Sequence, residues 1–594
     1  MNSETRTCQN CKGSFIIEPE DFQFYEKIKV PPPTWCISCR MQRRMAFRNE
    51  RSLHKRTCQA PGHAEEMISM YAPDSPLVVY DRKFWNGDEW NALDYGRDVD
   101  NSRPFLAQFR DLVQDVPWFS LFNENAVESD YCNYTTDNHR CYLVFGGDFN
   151  ENCRFSTYCF HSKDCADVHW TEKTELCYEL IDSANCYGVS YGQFVRDSSD
   201  SSYLYDCVDV SHCVGCIGLR HKQYHILNIP YTKEEYENKI AELRLDNVVT
   251  RRQFEAKYQE LIMSFPRRFA SIAQSAASTG DKLLNAKNCH NCFELMGPSE
   301  DCRDLCLGGL NVRDVYGSNH VGHEAELVHD SMAIFSNARN IVSSLIISES
   351  YNITYSYNCR SSHDLFGCVN LRNKEYCILN KQYTKEEYEM MVPRLIARMS
   401  DMPYVDARGR RYAYGEFFPA EFSPFGYNET FAMEQFPLSK EKALAQGFSW
   451  RDSAEKRYVP TMRLGDIPDE SASAPDSITQ EVIECGHGGT CAHMCTTAFR
   501  IVPEELQYYR RLGLPLPRLC PNCRHYERLA KRNPNRLWHR ACQCSGLRSD
   551  GGRFTNTGKH SHGSDKCSVE FETPYAPDRP EIVYCESCYN SEVA

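Results

Sequence analysis

Single apolar residues recur between short polar stretches in the middle of the chain, from about residue 125 to residue 230. The polar stretches are rich in Ser, Asp, Asn and Tyr, and this pattern predicts short strands separated by turns. Cysteines mark many of the apolar positions. Their spacings are 9, 12, 12, 12, 9 and 21 residues for Cys132, Cys141, Cys153, Cys165, Cys177, Cys186 and Cys207. A step of nine plus twelve indicates a period near 21 residues, within the range of β-solenoid coils.

The end of this segment occurs twice. Residues 207–237 and 359–389, at an offset of 152, agree at 17 of 31 positions. We therefore predict a second solenoid-like repeat over residues 285–383. Its later part keeps the spacing of 9 and 12 with apolar residues in place of cysteine: Met332, Ile341 and Ile353. Because apolar residues can replace them, most of these cysteines are predicted to act as small buried hydrophobic residues.

Both repeats end in the sequence Tyr-Thr-Lys-Glu-Glu-Tyr. Thr232 precedes Glu235 by three residues, and Thr384 precedes Glu387 in the same way, which is the pattern of a capping box. We expect helical caps over residues 232–284 and 384–402. A helix in this position would cover strand edges that an open solenoid end leaves unpaired.

Two Cys-x2-Cys pairs lie near the start of the chain, Cys8 with Cys11 and Cys36 with Cys39. Two tight turns that each supply two thiolates satisfy the tetrahedral coordination of Zn²⁺. We predict a zinc-ribbon or treble-clef module, with a helix in the region that starts at Arg40. The hairpin beside the metal is expected to contain four apolar residues: Phe15, Ile17, Phe22 and Phe24.

The end of the chain repeats this module. At a constant offset of 484, residues 11–58 and 495–542 agree at 19 of 48 positions. The first turn differs, because Cys491-x3-Cys495 stands in place of Cys8-x2-Cys11. We predict a zinc site formed by Cys491, Cys495, Cys520 and Cys523. Three residues compete with Cys491 as the first ligand: Cys485, His487 and His493.

The alignment resumes beyond an insertion in the C-terminal copy and places Cys585-x2-Cys588 opposite Asp81 and Phe84. We predict a second zinc site there, formed by Cys544, Cys567, Cys585 and Cys588, with Cys542 as the alternative to Cys544. About three zinc ions per chain are expected. The corresponding N-terminal residues, Cys58, His63 and Asp81, are predicted to be a degenerate site in which Phe84 fills space. The alternative is that these three residues still hold a more weakly bound metal ion.

A basic segment follows the second Cys pair of each module. Its arginines recur every four residues, on one face of a helix: Arg40, Arg44 and Arg48 in the first copy, Arg524, Arg528 and Arg532 in the second. Such a face suits contact with phosphate, and we predict binding of nucleic acid or of a ribonucleoprotein. The alternative is a solvated helix that the acidic remainder of the chain neutralises.

Composition limits the class of protein. The chain has 594 residues, a net charge of −14 and 32 cysteines. The first residues have no apolar core of a secretory signal, and no apolar run is long enough for a membrane span. Cysteine pairs in a large chain without such a signal favour metal ligands over disulfides, and we expect a cytoplasmic protein. The acidic balance argues against uniform coating of nucleic acid.

Catalytic motifs are weak. Gly188-Val-Ser190-Tyr-Gly192 matches a nucleophile elbow, but it lies inside the predicted β repeat and lacks the required helix. A solenoid enzyme that acts on a polysaccharide is an alternative, since aspartates cluster in one stretch; the members are Asp197, Asp200, Asp206 and Asp209. Turn formation is the preferred interpretation of these residues. No small-molecule substrate is indicated.

The string from Cys36 to Leu53, the segment Phe84-Trp85 to Gly96 and the segment Tyr575 to Cys585 resemble a family of uncharacterised cysteine-rich zinc-ribbon proteins of candidate-phylum (Patescibacteria-type) bacteria. The resemblance extends over nearly the whole chain. It implies zinc-ribbon ends and cysteine-rich repeats, and it implies no activity. The cysteine-poor middle of the second repeat departs from the family pattern.

We therefore predict a multidomain, mainly β fold with helical caps, in which zinc-ribbon modules at both ends flank two solenoid-like repeats. The predicted order is module 1–95, connector 96–124, repeat 125–231, cap 232–284, repeat 285–383, cap 384–402, aromatic and Pro-rich segment with linker 403–480, and module 481–594. The predicted function is a non-catalytic zinc scaffold that contacts nucleic acid. A scaffold for protein partners alone is the first alternative, and the polysaccharide enzyme is the second.

Overall fold

The computed structural model describes residues 2–452 and 458–593, and each end of the chain forms a small module of hairpins and short helices. The elements of the N-terminal module are, in chain order, Glu4–Thr7, Ser14–Ile17, Pro19–Ile28 (helix), Ile37–Met45 (helix), His54–Thr57, Glu66–Ser69, Val79–Tyr80 and Arg82–Asn86 (helix). The predicted hairpin is present with Phe15 and Ile17. Phe22 and Phe24, however, belong to the helix that follows it, because Pro19 at the first helical position starts a helix there.

The C-terminal module repeats this order. Its elements are Ile483–Glu484, Ala498–Phe499, Pro503–Leu512 (helix), Pro521–Ala530 (helix), Trp538–Ala541, Glu570–Thr573, Val583–Tyr584 and Glu586–Val593 (helix). Pro503 takes the same helical position as Pro19, and Cys520 caps its helix as Cys36 does. In both copies the second Cys pair therefore opens a helix, three residues before the predicted start at Arg40.

Parallel strands stack through residues 123–230, which we call the first ladder. Its strands are Asn123–Glu124, Thr135–Thr136, Thr157–Phe160, His169–Glu172, Ile181–Ala184, Tyr187–Ser190, Ser199–Tyr205, Val208–Ile217 and Arg220–Ile226, with Ile229–Pro230 antiparallel at the end. His169 pairs with Thr157 on one side and with Ile181 on the other, which is an offset of twelve residues. The predicted period near 21 is wrong, because each turn of the chain takes twelve residues.

The first ladder has an internal period of three. Every third residue from Ser129 to Cys216 is buried. The residue two places after a buried one commonly has a left-handed backbone, as at Tyr134, Asp137 and Arg140, where φ is 54°, 53° and 50°. Four such triplets make one twelve-residue turn. The interior is narrow, and the buried side chains are mostly small: Cys, Ser, Thr, Val, Gly and Asn.

Cysteine in this interior behaves as a slightly larger serine. The Cys153 Sγ atom lies 3.5 Å from the carbonyl oxygen of Glu151, two residues back, and the Ser156 Oγ atom lies 2.7 Å from that of Arg154. The Cys153 sulfur also reaches the Ser162 carbonyl of the next turn at 3.4 Å. These thiols thus fill the core and donate weak hydrogen bonds to carbonyl groups, in agreement with their predicted role as small buried residues.

The second ladder, residues 272–382, consists of an eight-stranded and a nine-stranded sheet. Its strands are Ile272–Ala273, Gly280–Leu284, Ala286–Lys287, Cys292–Leu295, Ser299–Glu300, Cys306–Gly308, Val312–Tyr316, Asn319–Val321, Glu326–His329, Met332–Ile334, Arg339–Val342, Leu345–Ser348, Tyr351–Thr354, Tyr357–Arg360, His363–Phe366, Glu375–Ile378 and Lys381–Gln382. Ile341 and Ile353, twelve residues apart, are paired in one sheet. Met332 lies in the other sheet, because the nine residues from Met332 to Ile341 are less than one full turn. The earlier turns of this ladder are thirteen residues long, as in the pairing of Cys306 with Asn319.

Helices follow each ladder, and both predicted capping boxes are confirmed. The Thr232 hydroxyl accepts a hydrogen bond from the Glu235 amide, and Thr384 accepts one from Glu387. The remaining helices and strands are Ala92–Tyr95, Phe105–Asp115, Trp118–Phe119, Lys233–Leu243, Val248–Ser264, Arg267–Arg268, Lys385–Asp401, Tyr404–Val405, Arg411–Tyr412, Ala420–Phe422, Tyr427–Glu429, Phe431–Gln435, Lys440–Ala445, Leu464–Asp466, Ser471–Ser473, Asp476–Gln480 and Asp550–Gly552. Within the described ranges, no helix combines the length and apolar character needed to cross a membrane.

The two modules attach to the ladders in matching ways. Val79 of the N-terminal module pairs in parallel with Trp118, just before the first ladder. Val583 of the C-terminal module pairs in parallel with Arg267, just before the second ladder. In each copy a glutamine side chain accepts a hydrogen bond from this valine, at 2.9 Å for Gln59 and 2.8 Å for Gln543. The duplication of the ends therefore extends to how they are fastened.

Candidate metal centres and the arginine helices

The four predicted N-terminal ligands lie together. The Sγ atoms of Cys8, Cys11, Cys36 and Cys39 are all within 4.8 Å of one another. Cys8 directly follows the first strand, Cys11 precedes the second, and Cys36 and Cys39 lie on the first turn of the helix Ile37–Met45. The amide groups at that helix end favour negative charge on sulfur. The hairpin and the helix thus bring four thiols to one point that could hold a metal ion.

The first C-terminal cluster has one member that differs from the prediction. Cys495, Cys520 and Cys523 are brought together as expected, but the fourth member is Cys485, not Cys491. Cys485 directly follows the strand Ile483–Glu484, just as Cys8 follows its strand, so the hairpin fixes its position. Cys491 lies in the connecting loop, with its sulfur 3.6 Å from that of Cys523.

The second C-terminal cluster differs in the same way. Cys567, Cys585 and Cys588 meet Cys542, the alternative ligand, instead of Cys544. Cys542 directly follows the strand Trp538–Ala541, and its sulfur accepts a hydrogen bond of 3.2 Å from the Cys585 amide. Cys544 lies two residues further along, in the inserted loop. In both clusters the cysteine that ends a strand is the one placed among the other thiols.

The corresponding N-terminal residues also meet, without four thiols. The Asp81 Oδ2 atom is 3.3 Å from the Cys58 sulfur and 3.3 Å from the His63 Nδ1 atom. The ring of Phe84 packs against the His63 ring, with 4.8 Å between their centroids. Phe84, which the alignment places opposite Cys588, therefore packs against a residue of the site, in agreement with its predicted packing role.

In each C-terminal cluster the pKa of one thiol is lowered while those of its neighbours are raised: hydrogen bonding to that thiol raises the pKa of Cys485 and of Cys542, and burial raises the pKa of Cys523 and of Cys588. A hydrogen bond from the Cys485 thiol lowers the pKa of Cys520 to about 4, and one from Cys542 lowers the pKa of Cys585 to about 5. Several thiolates in a small volume repel each other unless a cation lies between them. Four sulfur ligands in a closed arrangement are typical of structural zinc sites and also suit iron, so the ligand set alone defines a metal site and not the metal.

The N-terminal arginine helix is buried against the second ladder. Arg40, Arg43 and Arg44 surround Asp330, which is 1% exposed. The nitrogen–oxygen distances to Asp330 are 3.7 Å for Arg40 and 3.6 Å for Arg43, and Arg44 makes a direct hydrogen bond. Arg48 is paired with Glu50 at 2.5 Å.

The C-terminal arginine helix is buried against the first ladder. Arg524 and Arg528 each approach Asp167 at 2.6 Å, and Asp167 is fully buried. Arg532 binds Asp182 of the first ladder at 2.8 Å and also contacts Glu294 of the second. All six predicted phosphate-binding arginines therefore face carboxylates of the same chain. The expectation of a solvent-exposed basic face is wrong, because carboxylates inside the fold neutralise the arginines, and all of these carboxylates except Glu50 are distant in sequence.

A buried histidine next to Asp330 predicts sensitivity to acid. Burial lowers the pKa of His329 to about 3, whereas an unfolded histidine titrates near 6.5. The unfolded chain therefore takes up a proton first as the pH falls, and the stability that neutral His329 contributes is lost from about pH 6.5 down to 3. We expect about 3 kcal/mol less stability at pH 4 than at pH 7 from this residue.

Urea unfolding at several pH values measures this effect. His329→Phe should reduce the difference between pH 7 and pH 4, because phenylalanine does not titrate and its ring can pack against Phe24 and Tyr25 as the histidine ring does, without a hydrogen bond to lose. The exposed His221 is the control, and His221→Phe should keep the difference of the wild type. An unchanged pH dependence in His329→Phe would contradict the assignment.

The aspartates of the enzyme hypothesis occupy turns. Asp197, Asp200, Asp206 and Asp209 all have positive φ, between 46° and 53°, at the corners of the first ladder. Between the two ladders lies a cleft of about 220 Å³ lined partly by Asp182, Asp206 and Asp281. Asp182 pairs with Arg532, Asp206 with Arg220 at 2.8 Å, and Asp281 accepts the Ser271 amide at 2.8 Å. These carboxylates already have partners, which favours a structural role.

Comparison with models of known protein families finds no match, and comparison with curated proteins finds none either. The structure alone therefore describes the class of protein. It is a multidomain protein with parallel strand ladders and with cysteine clusters at both ends that could hold metal ions. The resemblance to the candidate-phylum family stays a prediction.

Proposed function

We propose that this chain is a non-catalytic, zinc-dependent scaffold protein. In this proposal the ladders are two β-solenoids with twelve- and thirteen-residue turns, and the end modules are zinc ribbons of the treble-clef type. Zinc is the metal of this proposal: three closed sets of four thiols match its structural sites, and metal analysis distinguishes zinc from iron, which the same ligands suit. Thiolate ligands and thiol-filled solenoid cores both suit a reducing, cytoplasmic compartment.

One observation carries the proposal. In each module the second Cys pair of a cluster forms the first turn of the helix whose arginines enter the opposite ladder. Cys39 and Arg40 are adjacent in sequence, as are Cys523 and Arg524. The metal ion would therefore fix the end of the helix that supplies charge to Asp330 or Asp167. Its role is to hold the four parts of the chain in one rigid body.

A protein partner is the class of ligand that this scaffold fits best. The arginines that suggested nucleic acid are used inside the fold. The remaining surface belongs to a chain of net charge −14, which repels a polyanion at long range. Partner binding on the outer faces of the solenoids is therefore our proposal, and contact with RNA or DNA becomes an outcome to be tested.

Metal analysis of a variant that lacks one metal site tests the scaffold role of the metal. Cys11→Ser with Cys36→Ser should remove one zinc ion per chain and increase hydrogen exchange in the helix Ile37–Met45, because the helix loses its anchor. Cys141→Ser is the matched control, since serine occupies equivalent buried positions of the first ladder. It should change neither quantity.

The same preparations decide between the two classes of partner. Filter binding with RNA and duplex DNA across salt concentrations is expected to show no salt-sensitive binding. Salt-sensitive binding by the folded wild-type chain would overturn the protein-partner proposal. Equal zinc content in the Cys11/Cys36 variant and the wild type would overturn the scaffold role of the metal.

A further inference from the structure

Each C-terminal thiol cluster has a second group of possible ligands attached to it. His487, Cys491 and His493 form a group with Cys523, whose ligand atoms are all within 4.8 Å of one another. Cys544, His560 and His562 form the same kind of group with Cys588. Cys523 and Cys588 each belong also to the adjacent four-thiol cluster. The two sites thus have the same composition. In each, a four-thiol cluster shares one cysteine with a second group, and the second group adds one further cysteine and two histidines.

We propose that the C-terminal module holds two binuclear zinc centres, each bridged by one cysteine thiolate, Cys523 in the first and Cys588 in the second. This inference rests on the proposed zinc ribbons and adds one ion to each of the two C-terminal clusters. The Cys491 sulfur is 3.6 Å from the Cys523 sulfur, and the His562 Nε2 atom is 3.2 Å from the Cys588 sulfur. The Cys544 sulfur is 3.7 Å from His560 Nδ1.

The histidines of the Cys588 centre are oriented as metal ligands. Metal-bound histidine normally gives its other nitrogen to a carboxylate or carbonyl group. The His560 Nε2 atom lies 2.7 Å from Glu592, and both side chains are almost fully buried, at 1% and 0% exposure. The His562 Nδ1 atom lies 2.7 Å from the Asp565 carbonyl. In each ring the nitrogen that faces a cysteine sulfur is therefore the one left for a metal.

The Cys523 centre shows part of this arrangement. The His487 Nε2 atom is 3.5 Å from the Glu527 carboxylate. The Nδ1 atoms of His487 and of His493 are buried and have no hydrogen-bond partner. A buried nitrogen without a partner costs free energy, and a metal ion would satisfy both. The His493 ring is held flat against Tyr526, at 5.3 Å between centroids and 6° between planes.

Charge also favours a second ion. One divalent ion among four thiolates leaves a formal charge of minus two in a buried site. Two divalent ions among five thiolates and two neutral imidazoles leave minus one. Because uncompensated charge is costly away from water, the second ion stabilises the thiolates that the first leaves unbalanced.

Comparison with the N-terminal module shows why binuclear centres are restricted to the C-terminal module. Only two residues separate Cys8 from Cys11, whereas nine separate Cys485 from Cys495 and supply His487, Cys491 and His493. Instead of a second metal, the Asn10 side chain donates a hydrogen bond of 3.3 Å to the Cys39 sulfur. The N-terminal cluster is thus a mononuclear counterpart within the same chain, and the total becomes five zinc ions instead of three.

Native mass spectrometry of the full chain tests the number of ions. Five zinc ions are expected for the wild type. Replacement of His487, His493, His560 and His562 by asparagine should leave three, because the four-thiol clusters keep all their ligands. His139→Asn with His221→Asn, on exposed ladder positions, is the control and should keep five. A wild-type total of three overturns the binuclear centres and leaves the proposed ribbons intact, whereas one or none overturns both.

A second measurement does not depend on variants that fold. In the full chain loaded with ¹¹³Cd, a bridging thiolate couples the two metal nuclei, so two pairs of resonances should be split by scalar coupling. The N-terminal ion should give a single resonance without splitting. Five resonances without any coupling would show five separate sites and would overturn the shared role of Cys523 and Cys588.

Discussion

Replacement of Asp330 by asparagine is expected to destabilise the folded chain by about 3–5 kcal/mol. The substitution keeps the size of the side chain and removes the negative charge that Arg40, Arg43 and Arg44 share. Burial alone would raise the pKa of Asp330, but Arg44, Arg40 and Arg43 together hold that pKa well below its usual range. The carboxylate is therefore ionised at neutral pH, and its loss leaves buried positive charge without balance. Arg43 keeps Glu416 at 3.3 Å, which offsets part of the loss.

Urea unfolding followed by hydrogen exchange in the helix Ile37–Met45 measures this effect. Asp98→Asn is the matched control, because Asp98 also pairs with a basic residue, Lys381 at 2.6 Å, but is 78% exposed. Exposed pairs contribute about 0–1 kcal/mol. A loss at Asp330 no larger than at Asp98 would mean that the buried arginines find other partners, and that Asp330 does not hold the helix Ile37–Met45 against the second ladder.

Removal of the metal ions is expected to have the largest effect on the end modules and a small one on the ladder cores. Structural zinc contributes roughly 10–16 kcal/mol of apparent binding free energy in small zinc domains, and this becomes folding free energy when the site exists only in the folded state. The ladder interior depends instead on side-chain bonds such as Ser156 to the Arg154 carbonyl, 2.7 Å, which involve no metal ligand. Chelation should therefore unfold the end modules and leave the ladder cores folded.

Hydrogen exchange after addition of a strong chelator distinguishes these parts. Protection in the helices Ile37–Met45 and Pro521–Ala530 should fall by several orders of magnitude, while amides in the strands Tyr187–Ser190 and Ser199–Tyr205 retain most of theirs. Re-addition of zinc should restore the helices, and magnesium, which prefers oxygen ligands, should not. Equal loss of protection in helices and strands would show that the ladders have no stability of their own.

The sequence predicts the parts of this fold that depend on local spacing. The Cys-x2-Cys pairs at Cys36 and Cys520, the two capping boxes and the duplicated order of elements all follow from it. It does not decide between Cys485 and Cys491, or between Cys542 and Cys544, because all four are thiols near the same turn. That choice depends on which cysteine ends a paired strand, and the pairing is a property of the folded hairpin.

Two other features could not be obtained from the cysteine pattern or the charge pattern. Cysteine occupies only some of the buried positions of the first ladder, so spacings of 9, 12 and 21 suggest a long period although all are multiples of three. Positive charge on one helical face does not reveal whether its partner is phosphate or a carboxylate of the same chain. The partners, Asp167 and Asp330, lie hundreds of residues away and have no motif around them.

The crossed attachment of the two modules has a consequence for biosynthesis. Asp167 emerges from the ribosome 357 residues before Arg524, and Arg44 emerges 286 residues before Asp330. The N-terminal half thus contains Asp167 and Arg44, whose charges are neutralised by Arg524 and Asp330 of the C-terminal half. Contacts between residues so far apart in sequence form slowly during folding. A chain that stops before residue 524 leaves Asp167 without its two arginines. The buried charges are therefore balanced only after translation of the whole chain, and truncated products should be less stable than the full-length protein.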